Sequence, residues 1–367
     1  MSVPARLYPF RQPTNHKPPI PRWLVQFPEG VDRVFTAYIG IQQHTRIGTE
    51  LVGSSFQPLE AIQQWLAEPK HAPDSVEQFQ VLDGDDIANS IVFVCYWDNS
   101  EKYEGSMRQL NLAKLHAALN PEHRQSIGLW CERFTSHISR LETNYSGLDY
   151  LPGLARLHGT KTVEHTYSAY WGAARDRIPD SSHDLFAFDK SEVIPLSDSV
   201  PLTLGRHLAG TNYDNLVHIR SGQFWANCSE VEVKSYEEDL EPTLRIGLSY
   251  LWENPVETGS MGLRYLSNSP KHSSQRMTEA RESCVTGFFR NLSDLEGWAK
   301  RHRSHLAIYT GAIKHAKKFG EGRKFRTWHE VSVLKRGEAH FEYVNCVART
   351  GVLGRISLTP VEQLMQL

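Results

Sequence analysis

Apolar positions along this chain switch between two periods, and the switches mark its elements. Residues 33–42 (RVFTAYIGIQ) are β-branched and aromatic and predict a strand. Residues 57–67 carry apolar side chains at spacings of three and four, which predicts a helix. A near-continuous apolar run over 88–97 predicts a buried strand, and a helix is expected from about Ser100 to Ala118. The same grammar then returns. Residues 215–220 read as a strand, and 229–253 as a long helix that Pro242 bends or restarts. Residues 283–289 read as a strand, and 293–319 as a helix in one or two pieces, with Ser304 as the cap of a second piece. Strands at 329–335 and 339–347 close the chain across a Lys-Arg-Gly turn.

Segments 92–107 and 285–299 share an apolar strand, an aromatic pair, an asparagine and a helix start. The match predicts an α+β fold, one domain over 1–367 built of two related halves, about 25–150 and 151–355. Each half would be a sheet covered by helices, and such halves often pack sheet to sheet. The plainer reading is that strand–turn–helix grammar repeats by coincidence. The first 23 residues hold six prolines and no apolar signal core, so they read as an irregular arm.

Composition narrows the class. The chain is 40% apolar and 22% charged, with a net charge of -2. That balance argues against nucleic acid or an anionic membrane as a main partner. No apolar run is long enough to span a bilayer. The five cysteines are scattered, with no Cys-x-x-Cys, which argues against a zinc ribbon and a covalently attached c-type haem. Scattered thiols fit a reducing, cytoplasmic setting.

Candidate chemistry gathers between residues 302 and 334. Leu295, Trp298, His302, His305, Tyr309 and Ala312 recur at spacings of three and four, so one helix would present them on one face. His305 there is either a satisfied core histidine or a ligand. His302 lies between Arg301 and Arg303, at the edge of that face, and no acid nearby completes a zinc set. In the strand holding His329, alternation puts His329 with Val331 and Val333. A histidine on an inward face needs a partner, either as a core residue or as a general acid/base with a tuned pKa. Arg175 and Arg177 flank Asp176, and one is expected inside with the other in solvent. Ser221 precedes Gly222 at a strand end, where glycine permits close approach of a ligand, but it is not in Gly-x-Ser-x-Gly.

The segments GIQ (40–42), LET (141–143), YWGAARDRIP (170–179), NLVHIRSGQ (215–223), EPTL (241–244), SHLAIY (304–309), WHEVSV (328–333) and YVNC with the following TG (343–351) occur in order across the chain. Together they resemble the aldoxime dehydratase (phenylacetaldoxime dehydratase) family of haem-containing lyases. The resemblance implies a dimeric α+β barrel of two ferredoxin-like halves, and a homodimer. It implies haem b with His305 as proximal iron ligand, and Ser221, Arg177 and His329 on the distal side with Glu142 near them. Arg177 matches the family spacing from Glu142 better than Arg175. The implied reaction converts an aldoxime to a nitrile and water, with the oxime nitrogen on ferrous haem and His329 as acid and then base. A flavin or another reductant is a candidate for keeping the iron ferrous.

Two departures stand out. The family often has His-Pro-Thr-His where this chain has His302-Arg303-Ser304-His305. The basic loop 317–324 is longer here and reads as a solvated turn or a variant rim of the pocket. The competing readings are a peroxidase-like haem enzyme, a non-catalytic haem carrier or sensor, and a cofactor-free interaction protein.

Overall fold

The computed structural model describes residues 6–44, 57–189, 203–268 and 281–361. The first run of elements is β1 (Trp23–Gln26), β2 (Arg33–Gln43), α1 (Gln57–Leu66), β3 (Ser75–Gly84), β4 (Ile91–Trp97), α2 (Ser100–Gln109), α3 (Leu112–Ala117), α4 (Pro121–Arg124), β5 (Ile127–His137), β6 (Leu141–Tyr145) and β7 (Lys161–Glu164). The second run is β8 (His207–Thr211), β9 (Leu216–Phe224), α5 (Glu230–Ser235), α6 (Glu241–Glu253), α7 (Pro255–Thr258), β10 (Ser260–Ser267), β11 (Glu282–Phe289), α8 (Leu292–Arg301), α9 (Arg303–Phe319), β12 (Arg326–Leu334), β13 (Ala339–Val344) and β14 (Thr359–Pro360).

Among the described residues the strands form one antiparallel sheet of fourteen, ordered β14-β8-β13-β5-β2-β4-β3-β10-β11-β9-β12-β6-β1-β7. Two four-stranded blocks, β5-β2-β4-β3 and β12-β9-β11-β10, run through their strands in the same chain order and meet at β3–β10. β6, from early in the chain, borders β12, and β13, from late in the chain, borders β5. The sheet folds back on itself. Phe134 of β5 packs on His218 of β9 and Phe288 of β11, with ring centroids 4.4 and 6.3 Å apart. Ser136 and Ser332 hydroxyls meet at 2.8 Å across the same layer. Helices cover the outer faces: Ile62, Trp65, Tyr103 and Leu112 on one block, Leu248, Leu251, Leu295 and Trp298 on the other.

The two blocks share a further detail. Gly40 on β2 faces Trp130 on β5, and Gly222 on β9 faces Trp328 on β12. A Cβ on Gly40 would lie 1.9 Å from the Trp130 indole, and one on Gly222 would lie 2.3 Å from Trp328. Each indole crosses its partner strand where only glycine leaves room. A guanidinium stacks over each, Arg264 at 3.9 Å and Arg220 at 4.6 Å. Each tryptophan is followed two positions later by a buried glutamate, Glu132 or Glu330. The helix starts after β4 and β11 are also alike. Asn99 caps α2 and Asn291 caps α8, each accepting from the backbone N–H three residues on.

Several element boundaries differ from the sequence expectation. The helix predicted over Ser100–Ala118 breaks at Leu110, because the Asn111 side chain caps a new start by accepting from Lys114 N. The helix predicted over 229–253 contains a π turn at Tyr236–Leu240, and Pro242 lies in the first turn of α6. The predicted 293–319 helix is two helices. Its break is at His302, whose own Nδ1 accepts from Ser304 N at 3.3 Å, so His302 is the cap and Ser304 is not. The last strand ends at Val344, because Asn345 turns with φ 52°.

Replacing Gly40 by alanine overpacks the Trp130 contact. We expect a loss of about 1–3 kcal/mol, read as a lower urea midpoint. An unchanged midpoint would show that the indole moves aside freely.

Candidate active site

Where α6, α8 and α9 cover β9 and β12, the packing opens into a cavity with about 1220 Å³ of empty volume, partly open to solvent. Its floor is set by strand register. Ser221 of β9 lies directly opposite His329 of β12, and His329 lies opposite Asn144 of β6. Directly opposed residues of antiparallel strands share a face, so these side chains cluster. Glu142 sits two residues before Asn144 and therefore on the same face. Its Oε1 reaches His329 Nε2 at 3.1 Å. The wall opposite is α9, which brings His305, Tyr309 and Ala312 to the lining, with Trp298 from α8.

His305 is buried, and its Nδ1 meets the Ala299 carbonyl at 2.9 Å. That bond places the proton on Nδ1 and leaves the Nε2 lone pair free. Nε2 has no hydrogen-bond partner among the described residues. Burial pushes the His305 pKa down to about 4, with the carbonyl bond opposing, so the ring is neutral at ordinary pH. Trp298, Trp171 and Tyr170 surround it at ring distances of 4.8, 5.5 and 5.6 Å. A neutral, oriented imidazole with a free lone pair is the state a metal ligand requires. Among the described residues no group of three or more His, Cys, Asp or Glu could hold a bare ion. A single nitrogen donor in an apolar slot instead suits iron already held in a flat macrocycle, so the residues present fit a haem.

Across the cavity lies an ionic cluster. Arg177 grips Glu142 with two bonds, Nε to Oε2 at 3.0 Å and Nη2 to Oε1 at 2.8 Å. Burial alone would raise the Glu142 pKa, but the charges and hydrogen bonds of Arg177 and His329 outweigh it and hold the carboxyl at about 2. For His329, burial lowers the pKa below its ordinary value; Glu142 opposes this, and Arg177 and Arg22 add to it. The Trp171 indole N–H approaches His329 Nδ1 at 3.4 Å and can only donate. His329 therefore carries its proton on Nε2, toward Glu142, and Arg177 Nη2, 3.1 Å from Nε2, spends its hydrogen on the carboxylate. The Nδ1 lone pair is the nitrogen available to the cavity.

All the residues singled out in the sequence can now be placed. His305, His329 and Ser221 line one cavity, and Arg177 and Glu142 back His329. Arg175 and Arg177 are both buried, against the expectation that one would face solvent. The segment Trp171–Arg177 is a 3-10 helix, not an alternating strand, and Arg175 finds the Leu185 carbonyl at 2.5 Å and Glu296 at 3.6 Å. His302 faces away from the cavity and stacks on Tyr250 at 3.7 Å. Of the expected basic loop, Lys317 and Lys318 instead close α9 and are exposed, Lys324 is exposed beyond a short 3-10 turn, and Arg323 is buried and lines the cavity. Trp171 was not picked out by the sequence. It stands between the two histidines, and its only advance signal was its place beside the arginine motif.

A cavity with one oriented imidazole facing an acid–base cluster, in an α+β fold, suits a haem-binding protein. The family model described as haem-containing dehydratase matches residues 37–352, and the chain belongs to that family. A phenylacetaldoxime dehydratase of Bacillus sp. (strain OxB-1) is 30% identical over 358 residues, 96% of each chain. An aliphatic aldoxime dehydratase of Pseudomonas chlororaphis is 27% identical over 352 residues, 95% of each chain. A crystal structure of an aldoxime dehydratase superposes with a TM-score of 0.79 at 26% identity, covering 97% of both chains.

Removing Arg177 leaves the Glu142 charge buried without its main partner. Arg177→Gln is expected to cost about 3–5 kcal/mol, read from denaturant midpoints. A loss under about 1 kcal/mol would mean that Glu142 takes up a proton or water freely.

Proposed function

We propose that this chain dehydrates aldoximes, R–CH=N–OH, to nitriles and water, with haem b bound through His305. The observation that carries the reading is the His329–Glu142–Arg177 cluster, held across the cavity from His305 with Ser221 beside it in register. Membership of a haem-containing dehydratase family and relatives named for aldoximes support it. Haem, bound through His305 and kept ferrous, would supply an electron-rich iron, the chemistry that weakens an N–O bond.

The protein's part is positioning and proton transfer. The Ser221 hydroxyl, next to His329 across the strand pair, fixes the oxime oxygen by a hydrogen bond. His329 acts from its imidazolium form, with a second proton taken up on Nδ1, and gives that proton to the oxime oxygen as the N–O bond breaks and water leaves. The freed Nδ1 then takes the carbon-bound proton, and the C–H electrons complete the C≡N bond. One proton is given and one regained, so His329 ends as it began. Glu142 stabilises the imidazolium through Nε2–H, and Arg177 holds Glu142 in place. The apolar lining, with Leu244, Leu248 and Phe289, excludes water from the departing group. A peroxidase-like enzyme or a passive haem carrier has no use for a histidine able to take a proton from carbon.

The finer architecture belongs to the same reading. Two blocks of matching strand order support ferredoxin-like halves in a dimeric α+β barrel, which family relatives would assemble as a homodimer. No helix among the described residues is long and apolar enough to cross a membrane. The five free cysteines fit a reducing cytoplasm, where a flavin or another reductant would keep the iron ferrous.

His329→Ala is expected to keep its Soret band and lose about 10²–10⁴-fold in turnover, while His305→Ala loses or mis-ligates haem. Near-normal turnover in the first variant removes His329 from the reaction. A normal haem spectrum in the second refutes His305 as ligand. The charge of Glu142 raises the His329 pKa, so Glu142→Gln lowers it further. Because His329 must be protonated to act as the acid, activity in Glu142→Gln should fade at lower pH than in the wild type. A pH–rate profile measures this, and an alkaline limb that stays in place would disprove the coupling.

A further inference from the structure

The cavity changes character along α9. At its inner end His305 is surrounded by apolar side chains, including Leu248 and Ile308. At the far end Arg22 and Arg323 both enter the lining. Arg22 closes the Pro-rich arm just before β1, where its backbone carbonyl accepts from His165 N at 2.9 Å. Arg323 is buried, and its Nε donates to His315 Nδ1 at 3.3 Å. His315 lies about 15 Å along α9 from His305, at 1.5 Å per residue.

These two guanidiniums differ from their neighbours. Arg177 and Arg326 are paired with Glu142 and Asp149, but Arg22 and Arg323 form no ion pair among the described residues. Glu232 acts on Arg323 only from a distance, because its oxygens accept the backbone N–H groups of Lys324 and Phe325 at 3.0 and 2.8 Å. Arg22 Nε and His315 Nε2 are buried without any hydrogen-bond partner. Burial, and after it the nearby cations, push both arginines down to about 10. A half-buried Arg22 and a buried Arg323 without counter-ions among the described residues are costly, and an anion placed between them would offset that cost.

We infer that Arg22 and Arg323 form a carboxylate clamp at the outer end of the cavity, built for the two propionates of the haem. This rests on the reading of the cavity as a haem site. The slot is apolar at the imidazole end and doubly cationic at the other. A haem has the matching polarity, with an apolar ring and two carboxylates on one edge. Guanidinium forks suit carboxylates better than point charges do. Arg22 also gives the arm a purpose. Upstream, Arg11 N and Gln12 N donate to the Asp176 carboxylate at 2.9 and 2.8 Å, between Arg175 and Arg177. The arm is thus tied to the acid–base cluster at one point and to the cofactor's edge at another.

The test uses the full chain, stripped of haem and reconstituted with haem b or its dimethyl ester, whose propionates carry no charge. Release to excess apomyoglobin is followed in the Soret region. Wild type should hold haem b at least about tenfold longer than the ester, the effect expected of a lost charged hydrogen bond. Arg22→Gln and Arg323→Gln should each release haem b about tenfold faster and release the ester as wild type does. Arg22→Lys and Arg323→Lys should recover part of the retention. The ester comparison needs no substitution, so it decides even if a variant folds poorly. Equal release of haem b and ester by the wild type overturns the clamp. So do glutamine variants that keep the full preference for haem b, which would leave the arginines to a carboxylate on the substrate. A wild type that takes up no haem b, so that no Soret band travels with the protein, overturns the haem reading itself, and the clamp with it.

Discussion

A carboxylate with no access to water sits at the centre of this site. Glu142 is buried behind His329, and its charge survives there only because Arg177 meets it with two aligned bonds. The arrangement constrains much around it. Arg177 must enter from a tight 3-10 helix, whose start places Trp171 between the two histidines. β6 must lie beside β12, so that Glu142 and His329 share a face. The fixed negative charge also decides which nitrogen of His329 holds the resting proton and which faces the cavity. Replacing such a cluster with apolar residues would often cost a protein no stability, so its presence here belongs with chemistry more than with folding.

The two four-stranded blocks show how one fold detail can serve packing alone in one place and chemistry in another. Each crosses a glycine with a tryptophan, and each follows that tryptophan with a buried glutamate two positions on. The residue between is Cys131 in the first block and His329 in the second. Their cross-strand partners are Ile39 and Ser221. Ile39 and Cys131 pack into an apolar cluster under α1 and α2. Ser221 and His329 instead face a cavity, because α9 stands away from the sheet there. The break at His302 lets α9 set off in its own direction and leave that space.

The sheet also explains why long strands escaped the hydrophobic pattern. β5 carries Glu132 and Arg133 in its middle, β10 carries Arg264, and β3 carries Glu77. Read along the chain, these charges look like solvent-facing turns. In space Arg264 bridges Glu132 and Asp86, with bonds of 2.7 to 3.1 Å, and Arg220 bonds Glu77 at 2.6 Å. Every partner is distant in sequence, so no local window could show that the charge is neutralised. Exposed-looking residues in a core of this kind become legible only once strand order is known.

What the sequence determined by itself was local and chemical. Periodicity gave the helices and the apolar strands, and the ordered short motifs identified His305, His329, Ser221, Arg177 and Glu142 as a set. The internal match of 92–107 with 285–299 lies on strands, caps and helices that occupy corresponding places in the two blocks. Tertiary structure decided what those residues can do. It placed Glu142 and Ser221 on either side of His329, though they are 187 and 108 positions away along the chain, through the register of three strands. It buried both Arg175 and Arg177, and it brought Arg22 and Arg323 into one cavity with no ion pair among the described residues. The physical reason is range. Helix and strand periods act over a few residues, whereas desolvation and charge pairing depend on neighbours that only the folded sheet brings together.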